Sequence, residues 1–184
     1  MITEDFSNSL AVGAQAPDFN LLDTQGDWVS LKSFEAHEWL VLQFTCNHCP
    51  YVLGSDDRLR AVVAELEGQD VAWAGICSND PARYPQDNYE RMQERADALP
   101  YRYLHDPTQE TARRYGAQVT PEFFIFRQRE AAWTLAWHGT IDDSPRDAQE
   151  ASTAYLLPAL VSLLEGKALE RTTTPVQGCS IKWI

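Results

Sequence analysis

Cys46-Asn47-His48-Cys49 is the stretch of this chain whose residue types and spacing can do chemistry. Two thiols two residues apart can close a small disulfide ring or share a metal ion. They directly follow the apolar run Trp39-Leu40-Val41-Leu42-Gln43-Phe44, which reads as a buried strand. From about Tyr51 to Glu67 a helical pattern takes over, with Val52, Leu59, Val62, Val63 and Leu66 on one face. A cysteine at such a junction lies at a helix N-terminus, where unpaired N–H groups and the helix dipole favour an anion. A thiolate is such an anion and attacks disulfides through a mixed disulfide. Positive charge on His48 favours it further. Cys46 comes first and is expected to be the more exposed sulfur, which favours it as the nucleophile. Pro50 leaves the other assignment open, because a proline at the first helical position makes Cys49 the N-cap.

Thr120-Pro121 is a second constellation, at the mouth of a strand predicted over Glu122 to Arg127. From the residues alone this is a strand-initial trans proline. Cys77 ends a predicted buried strand, Val71 to Cys77, and reads as a small core hydrophobe. Cys179 lies in a stretch, Arg171 to Ile184, that reads as irregular, and is a candidate third redox thiol or a packed anchor. His105 and His138 read as structural or solvent-facing, and Asp142-Asp143 as a solvated turn.

Other elements must position these groups. Residues 13 to 31 hold short strand-like pieces broken by Pro17 and the Gln25-Gly26 turn. Gln86 to Leu99 reads as a helix, Tyr101 to Leu104 as a short strand, and Thr108 to Tyr115 as a helix closed by Gly116. Trp133 to His138 pairs with Glu122 to Arg127 as a hairpin, and Ala148 to Glu165 reads as a long amphipathic helix. Strands alternating with helices predict an α/β fold with helices on both sheet faces. The expected organisation is one domain over residues 1–170, with an N-terminal hairpin extension at about 10–31, and a tail over 171–184 packed on the same domain.

The net charge of -12 argues against nucleic-acid binding, since an acidic surface repels phosphate. No apolar run approaches the roughly 20 residues needed to span a bilayer, so no membrane partner is expected. Met1 to Leu10 has neither a basic start nor an apolar core, so a cytoplasmic location is expected. In a reducing compartment a Cys-x-x-Cys pair more often does redox or metal work than structural bridging.

The ordered set of motifs resembles the thioredoxin-like superfamily, within the branch shared by AhpC/TSA peroxiredoxins and thioredoxin-like reductases. Ala16-Pro17-Asp18-Phe19, Leu21, Gly26 and Ser30-Leu31 are similar to that branch's N-terminal signature. Asp106-Pro107 through Tyr115-Gly116, then Thr120-Pro121 and the strand, follow its usual order. Cys46-Asn47-His48-Cys49-Pro50 and the tail Gly178-Cys179-Ser180-Ile181-Lys182-Trp183 resemble an uncharacterised bacterial thioredoxin/peroxiredoxin-like family. The resemblance implies a thioredoxin-like fold, with a central mixed sheet flanked by helices and an N-terminal strand extension. It implies a bacterial cytoplasmic enzyme with Cys46 and Cys49 catalytic, supported by Thr45, Asn47, His48, Thr120 and Pro121. Pro121 is then cis and packs against the cysteine pair. The sequence departs from thioredoxins by having Thr45 where they carry Trp, and Gln43 where they carry a buried Asp. It departs from peroxiredoxins by having Cys46 where they carry a hydroxyl residue, if Cys49 is the reactive cysteine.

The function expected is thiol-disulfide exchange by a Cys46–Cys49 dithiol. Its substrate is a protein or small-molecule disulfide, its partner is a cellular thiol reductant, and no cofactor is needed. The first alternative is a thiol peroxidase, with a hydroperoxide as substrate and one cysteine becoming a sulfenic acid that the other resolves. The second is a copper- or zinc-binding protein, since thiolates and imidazole suit Cu(I) or Zn(II), although only His37, His48, His105 and His138 are at hand and no metal ligands are assigned.

Overall fold

The computed structural model describes residues 9–184. Residues 1–8 of the expected 1–170 domain, and with them most of the Met1 to Leu10 stretch, lie outside the described residues. The first elements are β1 (Leu21–Asp23), β2 (Trp28–Val29), β3 (Trp39–Phe44), α1 (Pro50–Glu65) and β4 (Val71–Cys77). Then come α2 (Tyr89–Ala96), β5 (Arg102–His105), α3 (Glu110–Tyr115), β6 (Val119–Thr120) and β7 (Glu122–Arg129). The chain ends with β8 (Ala132–Gly139), α4 (Leu156–Leu164) and β9 (Cys179–Ser180).

Seven strands form one sheet in the order β2-β1-β5-β4-β3-β7-β8. β3, β4 and β5 run parallel; β7 pairs antiparallel with β3, and β1 antiparallel with β5. This is the mixed sheet expected, with β1 and β2 as the N-terminal extension. β3 is buried along its whole length because both sheet faces are covered. Its alternate side chains feed two cores. Leu40, Leu42 and Phe44 pack with Leu21, Val29, Tyr115 and Phe124 on one face. Trp39 and Val41 pack with Leu59, Val62, Leu156 and Leu160 on the other. Each fully buried Leu or Phe contributes about 1.5–3 kcal/mol, so this central strand is fixed firmly and its carboxyl end makes a rigid platform.

Two helices differ from the sequence reading. The helix expected over Gln86 to Leu99 is a short 3-10 turn, Pro85–Asp87, followed by α2. Asn88 intervenes, accepting a hydrogen bond from the Arg91 amide as an N-cap. The helix expected from Ala148 begins only at Leu156. Pro158 stands in its first turn and lacks the N–H that a longer helix would need there. Asp143 instead holds the preceding residues, accepting the amides of Ser152 and Thr153. The tail also differs, since Cys179–Ser180 pairs with Val119–Thr120 as a two-stranded ladder.

Candidate active site

β3 delivers Thr45 and Cys46 past its carboxyl end, and α1 begins at Pro50 with Cys49 as its N-cap. Cys49 has extended backbone, φ -68° and ψ 125°, as a residue before proline requires. Thr45 is buried, and its amide donates to the Ile76 carbonyl, extending the β3–β4 pairing by one bond. The greater exposure expected for Cys46 is not found: Cys46 is 1 % exposed and Cys49 0 %. Both pack with Val52, Cys77, Met92 and Tyr103 under the start of α1.

Thr120 touches both sulfurs. Cys49 donates to its carbonyl oxygen at 3.1 Å, and Cys46 Sγ shares a hydrogen bond with its hydroxyl at 3.5 Å. The Thr120–Pro121 peptide is cis, so the trans proline expected from the residues alone is replaced by the form the resemblance implies. Glu122 shapes this loop, accepting the amides of Gln118 and Val119 and lying 2.6 Å from His138 Nε2. His138 is thus buried and paired rather than isolated.

A carboxylate that sequence reasoning missed lies beside the pair. Asp87 is fully buried and accepts the Asn47 amide at 2.7 Å and the Asn79 side-chain amide at 2.7 Å. His48 Nδ1 is 2.7 Å from its second oxygen, a close approach without hydrogen-bond alignment. His48 keeps 27 % of its side chain exposed and stacks on Tyr84. The Asn47 side chain is held at both ends, donating to the Gln86 carbonyl and accepting from Tyr103. The one signal for Asp87 in the sequence was Pro85, which favours a turn able to aim it inward. Gln43, where thioredoxins carry their carboxylate, is buried and its amide finds no hydrogen-bond partner.

The two thiols differ electrostatically. The Cys49 thiol is pushed down: Cys46 donates to it first of all, and Cys179, the Val52 amide and the Thr120 hydroxyl also favour its thiolate over the opposing burial. These donors outnumber the Thr120 carbonyl, which suits only the protonated sulfur. The Cys46 thiol is pushed well up, by its hydrogen bond to Cys49, by burial and by the charge on Asp87. Cys77 is pushed up to about 12, chiefly by burial, and behaves as the core residue expected.

Cys46, His48 and Asp87 each bring one ligand-type atom within 4.8 Å of the others. Each Asp87 oxygen already accepts one N–H donor, so an ion there would share the carboxylate with Asn47 and Asn79. His37 pairs with Asp70, and His105 packs on Tyr89 with its imidazole pushed down by burial; neither joins this group. Asp142, expected in a solvated turn, is buried and paired with Arg58.

The AhpC/TSA family profile matches residues 12–132. The chain belongs to the AhpC/TSA family. A hypothetical protein from Sinorhizobium meliloti is 33% identical, with a TM-score of 0.87 over 96% of this chain and 97% of that one. An uncharacterized conserved protein from Geobacillus kaustophilus is 34% identical, also at TM-score 0.87, over 96% and 94% of the two chains. A thiol-disulfide oxidoreductase from Bacteroides fragilis shares the thioredoxin-like fold at 18% identity and TM-score 0.58, over 83% of this chain and 98% of that one. No curated protein sequence matches the chain. Among the described residues no helix is long and apolar enough to cross a membrane.

Proposed function

We propose that this protein is a thiol-disulfide oxidoreductase that cycles Cys46 and Cys49 between dithiol and disulfide. The observation that carries this reading is Cys49 at the N-cap of α1, with the Cys46 thiol beside it. In the reduced state Cys49 is the better nucleophile, which reverses the preference drawn from the order of the residues. Its thiolate attacks a substrate disulfide, forming a mixed disulfide and releasing one substrate thiolate. Cys46 then attacks Cys49 Sγ, closing the protein disulfide and releasing the second thiolate. The Cys46 proton passes to the His48–Asp87 pair, which lies within 4.8 Å. A cellular thiol reductant reopens the ring. No cofactor takes part in these steps, and the location proposed is the cytoplasm.

The experiment is a redox titration of the pair combined with a disulfide-reduction assay. Turnover that is lost in both Cys46→Ser and Cys49→Ser supports the reading. A midpoint near ~-270 mV marks a reductase, and one near ~-120 to -180 mV an oxidant or isomerase. Unchanged turnover in either variant overturns it.

A second reading, a thiol peroxidase, draws on the same depressed Cys49 thiol. There the Cys49 thiolate attacks a hydroperoxide, leaving a sulfenic acid and an alcohol or water, and Cys46 condenses with it to the disulfide and water. Hydroperoxide consumption coupled to a thiol donor separates the two readings.

A further inference from the structure

Three thiols meet at this site. Cys179 is the register partner of Thr120 in the β6–β9 ladder, and Thr120 touches both other sulfurs. Cys179 packs on the cluster that contains Cys46 and Cys49, and Cys49 is one of the groups that push its thiol up. The tail that carries it is tightly placed. Asn79 accepts the Lys182 amide while donating to Asp87, and Gln109 bonds the Lys182 carbonyl and the Ile184 amide.

Exposure separates the three sulfurs. Cys46 and Cys49 are the less accessible, at 1 % and 0 % exposed, whereas Cys179 is half-buried. A thiol arriving from solution therefore meets Cys179 first. Two cations flank it in a chain of net charge -12. Lys182 lies over the Tyr84 ring, which stacks on His48, and Arg146 lies over the Tyr51 ring at the start of α1.

We propose that Cys179 is the outer thiol of a three-cysteine relay, carrying the disulfide of the buried pair to an anionic thiol in solution. The proposal rests on the disulfide cycle above. From the Cys46–Cys49 disulfide, the Cys179 thiolate attacks Cys49 Sγ. The Cys46–Cys49 bond breaks, Cys46 leaves and takes up the proton that Cys179 gave up, and a Cys49–Cys179 disulfide forms without net oxidation. An external thiolate attacks Cys179 Sγ, and Cys49 leaves as a thiolate at the helix N-cap. A second external thiolate attacks the mixed disulfide at the external sulfur. It releases Cys179 and a symmetrical disulfide, so two external thiols are oxidised for one protein disulfide reduced. In the reduced protein burial and the neighbouring Cys49 hold the Cys179 thiol up, to about 12. Oxidation removes the Cys49 charge and leaves Lys182 and Arg146 to favour the attacking thiolate.

The test compares wild type, Cys46→Ser, Cys179→Ser and Cys179→Ala by disulfide mapping and by the rate of reduction with glutathione, a net anion, and its diethyl ester, a net cation. The relay predicts a Cys49–Cys179 disulfide in oxidised Cys46→Ser. It predicts reduction of the Cys46–Cys49 disulfide by glutathione roughly tenfold slower in both Cys179 variants. It also predicts that wild type prefers glutathione to the ester, and that this preference is lost in the Cys179 variants. A Cys46–Cys49 disulfide reduced equally fast with and without Cys179 overturns the relay but not the cycle. Failure of wild type to form that disulfide overturns the cycle itself.

Discussion

The backbone amide of Asn47 donates to the Asp87 carboxylate at 2.7 Å, so a buried carboxylate forty residues downstream supports the loop between Cys46 and Cys49. Thioredoxin-like sites need a group to take the proton of the second thiol, and Gln43 on β3 cannot serve. Asp87 comes within 4.8 Å of Cys46 Sγ from the 3-10 turn ahead of α2. Its charge is one of the causes that keep Cys46 protonated.

Asp87→Asn keeps the shape and removes the charge. The Cys46 thiol should then titrate lower, and the ring-closing step should slow because its proton acceptor is gone. One Asp87 oxygen becomes an amide nitrogen facing donors, so a stability loss of about 1–3 kcal/mol is expected. Urea unfolding measures the loss. Single-turnover ring closure against pH separates the proton role from mere loosening, since only the former changes the pH profile.

The depressed Cys49 thiol gives a pH prediction. Its folded value, about 5, lies below the ~8.5 of a free cysteine. Its contribution to stability is therefore whole above the unfolded value, declines as pH falls, and is gone below the folded one. The reduced protein should gain stability relative to the oxidised protein between these two limits as pH rises. Thiolate absorbance in the ultraviolet should persist down to about pH 5. Cys46→Ala removes the largest cause and should move the inflection upward. An unchanged inflection in that variant would show that the helix terminus and not Cys46 sets the value.

The central strands were legible in the sequence because they carry dense apolar runs. β3 and β4 lie where Trp39 to Phe44 and Val71 to Cys77 place them. The cysteine pair was legible from its spacing, and the N-cap role of Cys49 from Pro50. Asp87 was not, since an acidic residue in a polar stretch looks the same whether it points inward or outward. β9 was not either, because two residues paired to a distant two-residue strand leave no periodicity to read. The start of α4 was misread because the apolar spacing of Ala151 and Tyr155 continues the helical pattern. Asp143 bonds to Ser152 and Thr153 hold that stretch out of the helix.

Glu122 and His138 form a buried pair behind the cis-proline loop. Glu122→Ala would leave the amides of Gln118 and Val119 without their acceptor and remove the carboxylate beside His138. Removing one side of a buried pair costs about 3–5 kcal/mol, and that loss should appear in denaturant unfolding. Glu122→Gln can still accept from the two amides and should lose less.

Gly178 tests whether the tail's placement controls the sulfurs. A Cβ there would come within 2.3 Å of the Thr120 carbonyl oxygen, the same oxygen that receives Cys49. Backbone cannot yield as a flexible side chain would, so Gly178→Ala should push β9 away from β6. The Cys179 thiol would then be freer in solvent and farther from Cys49. Two measurements follow: Cys179 should alkylate faster in the reduced variant, and protease should cut the tail sooner. The Cys49 inflection should also rise, because Cys179 is one of the donors that lower it. Faster alkylation with no change at Cys49 would mean that the tail covers the site without tuning it.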